Sequence, residues 1–306
     1  MRPRIRVLAA LLTVLSPAVC HGQARTEENV VYGMYSGLAL LMDVHYPSEP
    51  NGYGIIVIPG SGWHMPLHLD AAPLKNGVSR PVYRSDSLLE AGYTLFAINH
   101  RAAPRFRYPA AVEDAQRAVR FIRHNASTYG INPTAIGALG DSSGGYLVNM
   151  LGVLDGRGIP EDPSPINRES AKVQAVVALF APSDFVSFAR GLEGARGYVS
   201  SFLGAPYPLF LEMDPHAAQL YSDASPMSHV SPDDPPFLLI HGDLDPVVPF
   251  QQSGVFRDAL ASHEVEVQLI RVTGGGHGGS LLEGSNAATI FTPMVAWFDD
   301  HLRADQ

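Results

Sequence analysis

Apolar residues are grouped along this chain in short runs, and these runs alternate with stretches in which apolar residues recur at helical spacing. The runs predict β-strands at Val30–Tyr35, Leu38–Tyr46, Gly54–Ile58, Tyr93–Asn99, Ala135–Leu139, Val173–Phe180, Phe237–His241 and Val265–Val272. The first two flank Ser36-Gly37, which is a hairpin signal. Gly54–Ile58 is continuously apolar, which is typical of a strand buried on both faces.

Most of the later strands are followed by a segment in which apolar residues recur at helical spacing. This spacing predicts helices at Val82–Ala91, from Pro109 onward, and at Ser143–Leu154, Phe250–Ser262 and Ala287–Leu302. This alternation predicts the α/β class, with a mostly parallel sheet of about eight strands and helices on both faces. Because ligands of such sheets bind beyond the carboxyl ends of the strands, the residues directly after each strand are the first candidates for function.

The first 24 residues resemble an export signal. Three arginines precede the apolar stretch Val7–Val19, and small residues follow at 22–24. The stretch is shorter than the roughly 20 residues that a membrane span needs, so we expect a secreted or periplasmic protein rather than an anchored one. Residues 25–306 are interpreted as one catalytic domain, in which 182–235 form a loop-rich insertion.

Composition narrows the range of partners and chemistries. The chain has 306 residues and a formal net charge of −9, with no basic run beyond its N-terminal region, so a nucleic-acid partner is not expected. Cys20 is its one cysteine and lies within the signal segment, which leaves the mature protein without a disulfide, a cysteine nucleophile or a thiolate metal site. The sequence does not indicate an oligomeric state.

The strongest chemical signal is the segment Gly140–Gly145, which reads G-D-S-S-G-G. It lies between a predicted strand and a predicted helix, as a nucleophile elbow does, and the elbow predicts Ser142 as a nucleophile at a helix N-terminus. Ser143 has the wrong offset from the glycines for that role. Chymotrypsin-type proteases share a similar stretch, but they are all-β proteins in which the histidine and aspartate precede the serine.

A serine nucleophile needs a base and an acid that orients the base. His277 stands among glycines after the strand Val265–Val272 and is the predicted base. Asp243 and Asp245 both follow the strand Phe237–His241 and are both candidates for the acid.

Backbone N–H groups are needed to bind an oxyanion. The N–H of Ser143 is one predicted donor, and Ser61 or Gly62, in the small-residue loop after Gly54–Ile58, is predicted to supply the other. Trp63 follows in the same loop and is a candidate substrate-binding residue because apolar side chains dominate pocket walls.

Four segments together resemble the α/β-hydrolase family, and more narrowly its hormone-sensitive-lipase-like and bacterial feruloyl or acetylxylan esterase branches. They are Gly60–Trp63 (H-G-G-G-W in the family), Asn99–Pro104 (Y-R-L-A-P), Gly140–Gly145 (G-D-S-A-G-G) and Asp245–Pro249. Pro59 and Ser61 depart from the first motif, but both changes leave the N–H groups of Ser61 and Gly62 in place.

The resemblance implies the α/β-hydrolase fold, Asp245 as the acid, and carboxylic-ester hydrolysis through an acyl-enzyme without a metal or organic cofactor. The expected substrates are short-chain or aromatic-acid esters, such as acetyl or feruloyl groups on plant polysaccharides. Two alternatives share the fold: a serine exopeptidase of the prolyl-oligopeptidase type and a non-catalytic binding protein. Because the base must be neutral, activity is expected to fall on the acid side, near the ordinary histidine pKa of about 6.5.

Three further groups of residues have two interpretations each. His64 and His68 are four residues apart but lack a carboxylate to complete a metal site, so they are interpreted as loop residues at the pocket rim. Arg101 and Asp114 are interpreted as a structural ion pair rather than a substrate clamp. Aromatic residues in the insertion form either a pocket wall or lid, or a small core of their own: Phe185, Phe188, Tyr198, Phe202, Tyr207, Phe210 and Tyr221.

Overall fold

The computed structural model describes residues 25–83, 85–191, 193–206, 214–282 and 288–303. The predicted signal segment, together with Tyr207 and Phe210, lies outside the described residues. Within those ranges, none of the helices combines the length and the apolar character that crossing a bilayer requires.

One eight-stranded sheet runs through the described chain, in the order β1-β2-β4-β3-β5-β6-β7-β8. The strands are β1 (Arg25–Tyr35), β2 (Leu38–Tyr46), β3 (Gly54–Ile58), β4 (Thr94–Ile98), β5 (Ile136–Asp141), β6 (Ala175–Leu179), β7 (Phe237–Gly242) and β8 (Val267–Val272). β2 is antiparallel to both of its neighbours, and the pairs from β4 through to β8 are parallel. The prediction of a mostly parallel sheet is confirmed.

Helices cover both faces of this sheet. They are α1 (Ser85–Glu90), α2 (Ala110–His124), α3 (Ala126–Tyr129), α4 (Ser142–Val153), α5 (Phe185–Gly191), α6 (Glu193–Leu203), α7 (Pro215–Asp223), α8 (Gln251–Ser262) and α9 (Ala288–Leu302). Side chains of α2, α4 and α8 share one apolar core with the sheet, and those of α1 and α9 share the core on the opposite face. The described residues also include 3₁₀ turns at Leu74–Ser79, Pro81–Tyr83, Pro165–Arg168, Pro226–His229 and Gly278–Leu282.

The central strands are apolar on both sides because both sides are covered. Every residue of β3 and of β4 is buried. β1 behaves differently: it begins at Arg25, five residues before the predicted start, and its first residues are exposed polar side chains that pair with β2. An edge strand held by backbone hydrogen bonds does not need an apolar pattern, which is why the pattern missed this part.

The helix predicted at Val82–Ala91 is shorter than expected. Pro81–Tyr83 form a 3₁₀ turn, and the α-helix begins only at Ser85. It ends before Gly92, which has φ 92° and so adopts a conformation that favours glycine. Between β3 and α1, Gly60–Trp63 and Arg80 border the candidate site.

Candidate active site

The turn from β5 into α4 is a strained elbow that presents Ser142. This residue has φ 51°, a left-handed conformation that is uncommon outside glycine. The helix behind it packs so closely on β3 that a Cβ atom at Gly144 would lie 1.8 Å from the carbonyl oxygen of Ile58. The absence of a side chain at Gly144 therefore allows the helix to lie directly against the sheet.

Ser142, His277 and Asp245 come together, although 135 residues separate the serine from the histidine. The imidazole Nε2 lies 3.0 Å from Ser142 Oγ, and Nδ1 lies 2.7 Å from Asp245 Oδ2. Since a carboxylate only accepts hydrogen bonds, Nδ1–H donates to Asp245 and Nε2 is left to accept the hydroxyl proton. The ring of Phe180 contacts the imidazole edge to face, at 4.7 Å between centroids, and helps to fix its orientation.

Asp245 is held in its ionised form. Burial raises the pKa of this carboxyl, but hydrogen bonds from His241 and His277, the charge of His277 and the backbone N–H of Val248 together lower the pKa well below its usual range. Its Oδ1 accepts the N–H groups of Val247 and Val248, both at 2.8 Å. The carboxylate is therefore fully engaged and points its second oxygen at the base.

The neighbouring acid has a different role. Asp243 Oδ1 accepts the N–H of Gly274 at 2.7 Å, and Oδ2 lies 2.9 Å from Arg271 Nε. Asp243 thus ties the loop after β7 to the loop that carries His277. Of the two candidate acids, Asp245 is the one that contacts the imidazole.

A buried histidine supports the acid from behind. His241 Nε2 donates to the carbonyl oxygen of Val248 at 2.9 Å and lies 3.4 Å from Asp245 Oδ2. Its Nδ1 lies 2.7 Å from Ser253 Oγ and accepts that hydroxyl. His241 ends the predicted strand Phe237–His241, but nothing in the pattern indicates that its side chain reaches Asp245.

One predicted oxyanion donor, the N–H of Ser61, already has a hydrogen-bond partner in the structure. The N–H of Ser61 donates to Ser143 Oγ at 2.8 Å, so it does not fit the predicted role of an oxyanion donor. In the described part of the chain, no hydrogen-bond partner is found for the N–H of Gly62, which has φ 64°. Ser143 lies in the first turn of α4, where backbone N–H groups have no partner within the helix.

A second network, which sequence reasoning missed, fastens the loop after β3 to the elbow. Asp141 Oδ1 accepts the N–H of Gly60 at 2.5 Å and also accepts the hydroxyl of Tyr83. Burial and the nearby carboxylate raise the pKa of Tyr83, so this hydroxyl keeps the proton that it donates. Arg80 Nη1 donates to Gly60 O at 2.9 Å and lies 3.5 Å from Asp141 Oδ2. Of the three side chains in this network, only that of Asp141 belongs to a recognisable motif.

Trp63 lies beside the cavity but is only 3% exposed. Its ring stacks on Phe202 at 4.8 Å and meets the rings of Phe185 and Tyr146 edge to face, each at 5.4 Å. The insertion therefore supplies part of an aromatic core beneath the loop after β3. Substrate contact by Trp63 stays a prediction.

Helix α6 holds the same loop from outside. His64 Nδ1 donates to Gly62 O at 2.6 Å, and its Nε2 lies 2.8 Å from Ser201 Oγ. Tyr198 packs edge to face against His64 and lies so close to Gly62 that a Cβ atom there would be 2.8 Å from its ring. Both nitrogens of His64 are thus engaged in positioning the loop.

A cavity of about 490 Å³ opens above the serine. Its lining is mostly apolar on the side of the insertion and of the loop after β7, and polar near the elbow. The lining residues are Gly60, Ser61, Gly62, Trp63, Arg80, Asp141, Ser142, Pro182, Phe188, Tyr198, Pro246, Val247, Val248, His277 and Gly278.

The remaining groups singled out in the sequence are structural. Arg101 Nη2 lies 2.8 Å from Asp114 Oδ1, and both side chains are buried, as expected for a structural ion pair. Across the described ranges, no three histidine, cysteine or acidic residues lie close enough together to hold a metal ion.

Comparison with known proteins gives the same fold. The family model described as BD-FAE matches residues 42–260. The probable carboxylic ester hydrolase LipM of Mycobacterium tuberculosis is 31% identical over 206 residues, which are 66% of this chain and 43% of that protein. The chain spans about half the length of the curated relatives it matches.

Two solved structures match over nearly their whole length. A truncated carbohydrate esterase from gut microbiota has a TM-score of 0.70 at 29% identity, covering 93% of this chain and 98% of that one. An acetyl ester-xyloside bifunctional hydrolase from Caldicellulosiruptor lactoaceticus has a TM-score of 0.72 at 26% identity, with the same two coverages. By its family match and its sheet, the chain is a member of the BD-FAE family with an α/β-hydrolase fold.

Proposed function

We propose that this protein is a serine carboxylic-ester hydrolase that works through an acyl-enzyme. One observation carries the proposal: His277 bridges Ser142 Oγ, at 3.0 Å, and Asp245 Oδ2, at 2.7 Å. A nucleophile, a base and an orienting acid in hydrogen-bond contact are the arrangement that acyl transfer needs. The esterase names of its relatives support the same activity.

The geometry supports the following sequence of steps. Nε2 of His277 takes the hydroxyl proton as Ser142 Oγ forms a bond to the ester carbonyl carbon. The protonated imidazole, stabilised by Asp245, then gives that proton to the departing alcohol as the ester C–O bond breaks. A water molecule, deprotonated by the same nitrogen, attacks the acyl-enzyme and releases the carboxylic acid and the free serine.

The carbonyl oxygen becomes negatively charged twice in this sequence and needs donors each time. We assign the N–H groups of Gly62 and Ser143 to this role because the Ser61 N–H is already bonded to Ser143 Oγ. Removing one such donor typically costs about 3 kcal/mol of transition-state stabilisation. Both proposed donors are fixed in place before substrate arrives, one by the loop network and the other by α4.

The substrates we propose are short-chain or aromatic-acid esters, such as acetyl or feruloyl groups on plant polysaccharides. The printed names of a carbohydrate esterase and an acetyl ester-xyloside hydrolase among similar structures support this class. A mostly apolar cavity of about 490 Å³ is of a suitable size for a small acyl or aromatic group. Export to the periplasm or medium, proposed from residues 1–24, would bring the enzyme to polymeric substrates.

A substrate panel tests this function. Wild-type protein is assayed on p-nitrophenyl esters of increasing chain length, methyl ferulate and acetylated xylan, beside Ser142→Ala. We expect ester turnover by the wild type and a loss of kcat on the order of 10⁶-fold in the variant.

Ser262→Ala, which changes an exposed hydroxyl at the end of α8, is the matched control and should keep full activity. The proposal is overturned if no ester is turned over by folded wild-type protein, or if Ser142→Ala retains wild-type rates.

A further inference from the structure

Arg80 places a positively charged group at the wall of the catalytic cavity. It follows the 3₁₀ turn Leu74–Ser79 and packs against Gly77, where a Cβ atom would lie 3.2 Å from the guanidinium carbon. One nitrogen, Nη1, is fixed by the carbonyl oxygen of Gly60 at 2.9 Å. The guanidinium is therefore held in place at one end.

The other donors of this guanidinium are available. Within the described chain, hydrogen bonds of the Arg80 side chain are found only at Nη1, which leaves Nε–H and the N–H groups of Nη2 without a protein partner. The side chain of Arg80 is 46% exposed, and that of Asp141 only 5%. Asp141 is the counter-ion of Arg80, but its Oδ1 already accepts hydrogen bonds from Gly60 and Tyr83. A ligand in the cavity therefore meets mainly the exposed guanidinium and not the buried carboxylate.

Resting on the proposed ester hydrolysis, we infer that Arg80 is a specificity residue that binds a carboxylate carried by the substrate. A planar guanidinium with adjacent free N–H groups matches a carboxylate with two parallel hydrogen bonds. Among the described residues that line the cavity, the basic side chains are Arg80 and His277, and His277 is committed to Ser142 and Asp245. The substrate class is therefore an ester with a second, free acid group near the scissile bond.

The overall charge limits how many acid groups such a substrate carries. A formal net charge of −9 repels polyanions at long range, whereas a contact with Arg80 acts only over a few ångströms. The preferred ligand is thus a singly charged group, supplied either by the acyl half or by the alcohol half of the ester. A uronic-acid unit would place the free acid group on the alcohol side of the ester, and a dicarboxylic half-ester would place it on the acyl side.

Two matched substrate pairs test the inference and separate these sources. para-Acetoxybenzoate and para-acetoxybenzamide differ by a charge on the alcohol side, and monomethyl adipate and its monoamide differ by a charge on the acyl side. For each pair, the ratio of kcat/KM for the anion to kcat/KM for the amide is measured in wild type, Arg80→Gln and Arg80→Lys. Arg257→Gln removes the same charge from the surface of α8 and is the control.

We expect the wild type to prefer the anion of at least one pair, and Arg80→Gln to lower that ratio about ten-fold or more. Arg80→Lys should retain part of the preference, and Arg257→Gln should retain all of it. A role of Arg80 limited to positioning Gly60 would lower both rates of a pair equally and leave the ratio unchanged.

An unchanged ratio in Arg80→Gln, or no anion preference in the wild type, overturns this inference while leaving ester hydrolysis intact. Failure of the proposed function looks different, because the wild type would then turn over neither member of any pair. Thermal unfolding of each variant verifies that the compared proteins are folded.

Discussion

The hydroxyl oxygen of Ser143 accepts the backbone N–H of Ser61 at 2.8 Å. The residue directly after the proposed nucleophile thus ties the elbow to the loop after β3 through its side chain, while its own N–H is a proposed oxyanion donor. Ser143→Ala should therefore loosen that loop and reduce kcat/KM about ten-fold, with a loss of about 1 kcal/mol in the free energy of unfolding. Ester kinetics and urea denaturation measure the two effects.

Ser225→Ala is the matched control for this change. Ser225 is also buried, and its hydroxyl accepts a backbone N–H, that of Phe185, at 2.9 Å. Ser225→Ala should lose similar stability without a comparable loss of kcat/KM. Equal catalytic losses in both variants would contradict a specific role for the Ser61–Ser143 bond.

The hydroxyl of Tyr83 is expected to matter for rate as well as for stability. Tyr83→Phe removes a donor to Asp141, so the carboxylate that holds the Gly60 N–H loses one of its bonds. We expect kcat/KM to fall several-fold and the free energy of unfolding to fall by about 1–3 kcal/mol. Steady-state kinetics and chemical denaturation are the measurements.

Tyr93→Phe provides a like-for-like comparison. Tyr93 is also buried and donates to an aspartate, Asp299, at 2.8 Å, but this pair lies away from the cavity lining. A stability loss with an unchanged kcat/KM is expected there. If Tyr83→Phe leaves ester turnover at the wild-type rate, the Asp141 network does not position the loop.

Gly62 should not tolerate a side chain. Its φ of 64° and the 2.8 Å approach of Tyr198 to a Cβ atom both oppose alanine at this position. Gly62→Ala is expected to reduce kcat by one to three orders of magnitude, since a proposed donor to the oxyanion would be displaced. The rate is measured on p-nitrophenyl acetate.

Gly130→Ala is the control that measures the effect of backbone strain without the clash with Tyr198. Gly130 has nearly the same φ, 65°, but a Cβ atom there would meet nothing within 4 Å. It should lower stability modestly and leave kcat unchanged. The double variant Gly62→Ala/Tyr198→Ala should recover part of the lost rate, and no recovery would show that Tyr198 is not the obstacle.

The pH dependence of stability should reveal the ionised state of Asp245. Its pKa is lowered in the folded protein, so folding favours the carboxylate: the stabilisation is complete above the ordinary aspartate value of about 3.9 and is lost as the pH falls below it. The difference in unfolding free energy between wild type and Asp245→Asn should therefore be largest near neutral pH and shrink below about pH 4. Denaturation curves across this range measure it.

The same residue makes a prediction for activity. Because Asp245 stays ionised in moderate acid, its own protonation should not contribute to a loss of activity on mild acidification. Asp245→Asn should lower kcat on the order of 10⁴-fold, whereas Asp243→Asn should retain most activity because Asp243 contacts Arg271 and Gly274 instead. The opposite ranking would assign the acid to Asp243.

The sequence predicted the residues of the candidate site because each occupies a position that the fold makes special. Ser142 and His277 both follow a parallel strand and stand beside glycines, so topology alone places them at one edge of the sheet. The choice of Asp245 over Asp243 rested on resemblance, and the structure gives its physical basis in the 2.7 Å contact to the imidazole.

The supporting residues could not be predicted in the same way. Arg80 precedes the predicted helix Val82–Ala91, Tyr83 lies within it, and Tyr198 lies in the insertion; their contacts join parts of the chain that no local pattern relates. The bond from Ser61 to Ser143 also depends on how two loops meet in space, so the sequence left Ser61 and Gly62 as equal candidates.

Because Trp63 lies in the loop after β3 and stacks on Phe202, its fluorescence can report movements of this loop. The chain has two tryptophans, and the other, Trp297, packs in the core on the opposite face of the sheet. Replacing Trp297 with phenylalanine leaves a single indole whose surroundings change whenever this loop shifts. Its emission wavelength and quenching would then report ligand entry in real time, even with esters that carry no chromophore.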